Sequence, residues 1–195
     1  QIRVTASEQL WVADITYLPT ADKFVYLSLI TDAYSRKIVG WAMAPAMPAE
    51  LVCTALQMAL TLRRPTPGLL VHSDRGSQYA SHAHTTLLTR HGAHASMSRK
   101  GNCWDNAVME RFFLSLKTER VWQRDYANQA EASKDIADYI VNFYNSQRLH
   151  SKLGNLPPNA FEQSRTSHPP ANTPIPAFCS LITLSTLALS SSATP

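Results

Sequence analysis

Cysteine is scarce in this chain: three in 195 residues, Cys53, Cys103 and Cys179, far apart and odd in number. That excludes a small scaffold built on disulfides and fits a reducing compartment. No CxxC pair occurs, which argues against a cysteine-based zinc site. Charge is also sparse, at 16% of residues, and after Arg165 there is none. The one long apolar stretch, residues 175–189, is too short and too rich in Ser and Thr to span a bilayer, which takes about 20 residues. The chain opens on Gln1, with no basic segment leading into an apolar one, so we read a cut start and no signal peptide. No internal repeat is visible.

What is present is enough apolar material for a core. Hydrophobic residues make up 45% of the chain, which excludes a wholly disordered protein, and the length fits one domain or at most two small ones. Lys and Arg total 18 against 14 Asp and Glu, a mild basic bias compatible with a polyanionic partner. All of these charges lie at or before Arg165, whereas the remainder holds 11 Ser or Thr and 5 prolines. We therefore expect a folded domain over 1–163 and a low-complexity, disordered tail over 164–195.

Three β-rich segments come first, at residues 10–18, 24–31 and 38–44, with short links that favour antiparallel hairpins. Residues 51–62 carry helical spacing and stop before Pro65 and Pro67. A strand over 68–73, a helix over 78–91 and a strand over 94–97 follow. Asp105 is a good N-cap for a helix to about Trp122, and a last helix covers 129–144. The order fits one mixed sheet flanked by helices, an α/β fold. Trp104 and Trp122 are read as core residues rather than base-stacking ones.

Carboxylates in or beside strands are the first candidates for chemistry, because burying one unpaired is expensive. Asp14 stands mid-strand in WVADITY, where Asp is disfavoured unless it faces water at an edge. Asp74 ends the apolar run LLVHS, where ligands of α/β sheets gather, although a turn or N-cap Asp sits there equally well. Glu110 lies in a helix, where a solvated surface role is the plain alternative. Converging, the three would suit Mg²⁺ held by few protein ligands and several waters. On that helix Asn106, Glu110 and Lys117 share a stripe about 40° wide. Seven basic residues but three acidic ones lie between Arg90 and Arg124, as a DNA backbone would require. Asp22 is read as a turn residue, and Asp32, with Ser35 and Arg36 nearby, as a turn or salt-bridge residue. The pairs His82/His84 and His91/His94 lack companion cysteines, so zinc is not assigned to them.

Thirty-five residues separate Asp74 from Glu110, and Lys117 follows Glu110 by seven. This resembles the D,D(35)E signature of retroviral integrases and bacterial transposases. The words WVADITY, DAYSRKIVGW, HSDRGSQY, SMSRKGNCWDNA and the closing Tyr144-Asn145, Arg148 and His150-Ser151 resemble the second-reading-frame product of insertion-sequence-three transposases. The likeness covers about residues 9–162.

The resemblance implies an RNase H-like fold, a central five-stranded sheet flanked by helices. It implies a DDE transposase that cuts DNA and joins 3′-OH ends, typically through a circular intermediate. Asp14, Asp74 and Glu110 would be its catalytic and metal-binding residues, for two Mg²⁺ ions with Mn²⁺ as substitute. Lys117, Arg99, Lys100 and Asn106 would contact DNA, and Arg75, Gln78 and Tyr79 would orient Asp74 or contact DNA. Partners would be transposon ends and target DNA, further copies of the chain and the first-reading-frame product. The setting would be cytoplasmic and nucleoid-associated, with no membrane. The family carries DNA-binding segments before its first Asp, and only 13 residues precede Asp14 here. A catalytically silent DNA-binding or assembly remnant, and a plain RNase H-like nuclease, are the competing readings.

Overall fold

In the computed structural model, residues 3–97 and 107–166 are described. Five strands, β1 (Leu10–Pro19), β2 (Phe24–Asp32), β3 (Ile38–Ala44), β4 (Leu70–Ser73) and β5 (His94–Met97), form one sheet in the order β3-β2-β1-β4-β5. The first three are antiparallel, whereas β4 and β5 run parallel to β1. The helices are α1 (Ala49–Arg63), α2 (His82–Arg90), α3 (Ala107–Glu119), α4 (Gln129–Asp138) and α5 (Pro158–Thr166). This is the RNase H-like arrangement.

Alternation along β1 divides the core in two, since successive side chains leave a strand on opposite faces. Trp11 and Ala13 pack against α1 with Val52, Ala55, Leu56 and Ala59. Val12 and Leu18 pack on the other face against Met109, Phe112 and Leu116 of α3 and Ile136 of α4. Each sheet face is thus covered by helices, which lets the central strands be almost wholly apolar.

The α1 layer sits very close to the sheet at Gly40. A Cβ there would overlap the Ala55 carbonyl oxygen and stand 2.8 Å from the Ala59 Cβ. Backbone cannot yield as a flexible side chain would, so Gly40→Ala should lower stability by about 1–3 kcal/mol, the usual penalty for overpacking. The urea unfolding midpoint measures it, and an unchanged midpoint would contradict this packing.

Several boundaries differ from the sequence expectation, each for a physical reason. Helix α2 starts at His82 rather than 78, because the Ser81 side chain accepts a hydrogen bond from His84 N and caps it. The last long helix keeps α geometry only to Asp138; residues 139–144 continue as a π-helical turn. Trp122 is 64% exposed rather than buried, and its neighbour Val121 takes the core position. Helix α5 was not anticipated, and it runs to Thr166, past residue 163. Arg63 of α1 holds it through two hydrogen bonds of 2.8 Å to Glu162, which Lys37 also meets at 3.1 Å. Arg63 pairs with Glu8 as well. Residues 167–195 and the Asp105 cap lie outside the described residues.

Asp32 is fully buried, and its carboxylate accepts from the backbone N–H groups of Glu8, Tyr34 and Ser35. It is a turn residue, one of the two roles that the sequence indicated.

Candidate active site

The parallel pairing of β1 with β4 matches Leu10 with Leu70, Trp11 with Val71 and Val12 with His72. Continued by two residues, this register sets Asp14 opposite Asp74. Both then fall on the sheet face of Val12, the face that α3 covers. Sixty residues of chain are closed by this one pairing, with Asp14 in the middle of β1 and Asp74 just past the carboxyl end of β4. Asp14 is half-buried and Asp74 exposed.

Local backbone fixes both acids. Asp14 Oδ1 accepts from Ile15 N at 2.7 Å, and Asp74 Oδ1 accepts from Gly76 N at 2.9 Å. Gly76 has little room for a side chain, since a Cβ there would stand 3.0 Å from that same Asp74 oxygen.

Tyr79 reports the shared field of the two acids. Burial, then the charges of Asp14 and Asp74, push its phenol well above the usual tyrosine range. Ser28 lies beside the hydroxyl and opposes the shift, yet neither the Tyr79 nor the Ser28 oxygen makes a well-formed hydrogen bond among the described residues. Tyr79 is 2% exposed and belongs to the α1-side core. The ring packs in that core under the Asp74 loop. The sequence showed a tyrosine in a polar turn and carried no periodic signal of its burial.

The other candidates separate. Glu110 is exposed on the first turn of α3. Lys117 lies two turns later on the same stripe, with Nζ 5.1 Å from the ring centroid of Tyr17 on β1. Arg75 is exposed beside Asp74. Gln78 donates to the Met47 carbonyl at 3.2 Å, which ties the Asp74 loop to the segment before α1. Arg99, Lys100 and Asn106 lie outside the described residues.

Among the described residues, no three His, Cys, Asp or Glu side chains gather closely enough to hold a metal ion. The donor chemistry of the Asp14–Asp74 pair still fits a hard cation, since carboxylates on neighbouring strands supply the oxygen ligands that such ions take. Among those residues, too, no helix is long and apolar enough to cross a membrane.

Sequence reasoning did not single out the closing YN..R.HS segment for its mechanics. Asn145 accepts from Ile38 N and donates to Ile38 O, both at 2.9 Å, and so clips the turn after α4 to β3. Arg148 grips Glu119 of α3 with contacts of 2.7–3.1 Å, and Tyr139 donates to the same carboxylate at 2.6 Å. Burial would raise the pKa of Glu119, but Arg148 and Tyr139 outweigh it and hold it below the usual carboxylate range.

Known proteins resemble this chain along most of its length. Residues 4–103 match the integrase core domain family, and residues 91–158 match a second integrase core domain family. An uncharacterized 31 kDa protein of insertion element IS600 from Shigella sonnei is 48% identical over 159 residues, 82% of this chain and 58% of that protein. The transposase for insertion sequence element IS904 from Lactococcus lactis is 43% identical over 83% of this chain and 64% of its own length. Transposase InsF for insertion sequence IS3A from Escherichia coli is 44% identical over 79% and 54%. The chain thus spans a little over half the length of these relatives.

Among solved structures, a simian T-cell lymphotropic virus intasome superposes with a TM-score of 0.72 at 18% identity, over 92% of this chain and 62% of that one. The HTLV-2 integrase catalytic core in complex with magnesium, in a trimeric form, gives 0.60 at 13% identity, over 82% and 99%. At such identities the likeness speaks for the fold.

Proposed function

The chain belongs to the integrase core domain family, and on that premise we propose that it is the catalytic core of an insertion-sequence transposase, which cuts DNA at an element end and transfers the freed 3′-OH to a second phosphodiester. The observation that carries this reading is the β1–β4 register, which brings Asp14 abreast of Asp74 on the face covered by the helix of Glu110. The relatives that the chain matches bear transposase names, which supports DNA as the substrate.

Asp14 from the middle of β1 and Asp74 from the end of β4 would hold divalent cations, and Glu110 would hold them from α3. Two bound Mg²⁺ ions, or Mn²⁺ in their place, would supply the Lewis acidity that steadies charge on the attacking and leaving oxygens of an in-line displacement. The chain itself contributes negative oxygens carried on a sheet and a helix, elements stiff enough to keep them aligned. In the first step water attacks a phosphodiester and releases a 3′-OH. In the second that hydroxyl attacks another phosphodiester and displaces its 3′ oxygen. Element ends and target are the DNA partners, and further copies of the chain and the first-reading-frame product complete the active assembly. A labelled DNA end incubated with the chain and Mg²⁺ or Mn²⁺ tests the reading: nicked and joined products support it, and intact DNA under both metals overturns it.

Lys117 extends the same stripe, and an ammonium is a point charge suited to phosphate. Lys117→Ala should weaken binding across all sequences and lower the slope of log K against log salt by about one unit. Its contact with the Tyr17 ring predicts a stability loss of only ~0.5–1 kcal/mol. Lys117→Arg should restore part of the binding. A salt titration of duplex binding reads the slope, and an unchanged slope would remove Lys117 from the DNA surface.

A further inference from the structure

Ala107, Arg111 and Ser115 form a second stripe along α3, on the flank turned away from Glu110 and Lys117. They line a cleft of about 430 Å³ whose far wall is the segment after α4, with Arg148, His150 and Lys152. Arg36, from the β2–β3 turn, joins the lining. Among the described residues, four cations thus line the cleft, and no carboxylate does.

Only Arg148 of the four is held in an ion pair among the described residues. Arg148 is spent on Glu119 and the Ser115 hydroxyl. Arg36, Arg111 and Lys152 have no side-chain hydrogen bond or ion pair among the described residues. Arg36 is also half-buried, and its backbone holds the left-handed region at φ 62°, uncommon for a residue with a Cβ. A guanidinium kept partly out of water with no partner, next to another guanidinium, is costly unless an anion joins it. His150 Nε2 is likewise buried without a partner. Burial, then Arg148 and Arg36, push this imidazole down to about 4, so it is neutral at pH 7 and can offer an N–H to an oxyanion.

Three cations outside any ion pair are more than one carboxylate would satisfy. A DNA strand carries a charge at every nucleotide, and guanidinium groups grip phosphate oxygens in pairs. We propose that the cleft between α3 and the 148–152 segment is a second phosphodiester-binding site, which holds DNA backbone remote from the bond that reacts. The inference rests on the reading of the chain as a DNA transposase core.

The test measures binding of the full chain to a duplex of arbitrary sequence across a salt series. Arg36→Gln with Arg111→Gln should lower the salt slope by about two units, at ~0.9 per phosphate. Exposed Arg111→Gln alone should lower it by about one, which keeps the test valid if Arg36→Gln disturbs folding; melting curves check that. The His150 ring resonances should move on adding duplex, and less with inorganic phosphate at matched ionic strength. Unchanged slopes, His150 saturated by free phosphate alone, or an acidic peptide that competes better than DNA would each overturn the proposal. Asp14→Asn separates the two ideas, because it should bind with the wild-type slope while losing nicking. Normal nicking by the wild-type chain with unchanged slopes in the arginine variants overturns the cleft alone, whereas a wild-type chain that neither binds nor nicks overturns both.

Discussion

Asp14→Asn, Asp74→Asn and Glu110→Gln should each abolish nicking and joining, by at least about a thousandfold, or ~4 kcal/mol of barrier. Each change keeps size and shape and removes only the negative charge that a cation needs. The amide oxygens can still accept from Ile15 N and Gly76 N, so local geometry survives. Folding should survive too, because Asp74 and Glu110 are exposed and Asp14 is only half-buried. Relief of repulsion between the abreast aspartates should leave Asp14→Asn at least as stable as wild type without metal. Removing divalent ions with a chelator should have the same effect on products as the substitutions, and Mg²⁺ or Mn²⁺ should reverse it. Ca²⁺ should reverse it poorly, since its looser, more numerous ligands spoil in-line geometry. Product analysis on sequencing gels reads all of these arms. Substantial activity in any variant would remove that residue from the site, and full activity in chelator would remove the metal.

The second large effect is on stability. Asn145 is 6% exposed and pairs with both backbone polar groups of one residue, accepting from Ile38 N and donating to Ile38 O. Asn145→Ala leaves two buried backbone groups unpaired, each worth about 1–3 kcal/mol, so a loss of ~2–5 kcal/mol is expected. For a domain of this size that lowers the melting temperature by roughly 2–4 °C per kcal/mol. Asn145→Asp should lie between, since it can still accept from the N–H but cannot donate to the carbonyl. Urea midpoints of the three proteins give the order, and a near-neutral Asn145→Ala would show that the clip carries no weight. The experiment also separates fold from chemistry, because Asn145 lies apart from the aspartates.

Much of the site was legible because its signals are local. An aspartate in the middle of an apolar strand, a second at the end of another and a glutamate on a helix each break the pattern around them, and the spacing from Asp74 to Glu110 resembles a known signature. Strand β3 and strand β5 have the bounds expected from sequence, since alternation and flanking turns define them without help from elsewhere. Asp32 was legible for the same reason: its partners lie within a few residues, apart from Glu8.

What the sequence by itself determined, then, is which residues break pattern and which segments can be strands or helices. Tertiary structure decided which of them meet. Nothing local says that β4 must lie beside β1 rather than β3, yet only that parallel pairing brings Asp14 and Asp74 abreast across sixty residues. Tyr79 reads as a polar-turn residue until the Asp74 loop folds its ring into the α1-side core. Helix α5 has a weak apolar pattern, and its place depends on Glu162 finding Arg63 and Lys37 from distant segments. The cationic cleft is of the same kind, since Arg36, Arg111 and Lys152 are unremarkable apart and line one cleft only when three segments converge. Periodicity and propensity act over a few residues, whereas pairing order, ion-pair partners and shared fields depend on groups far apart in the chain, whose meeting is set by packing of the whole sheet and its two helical layers.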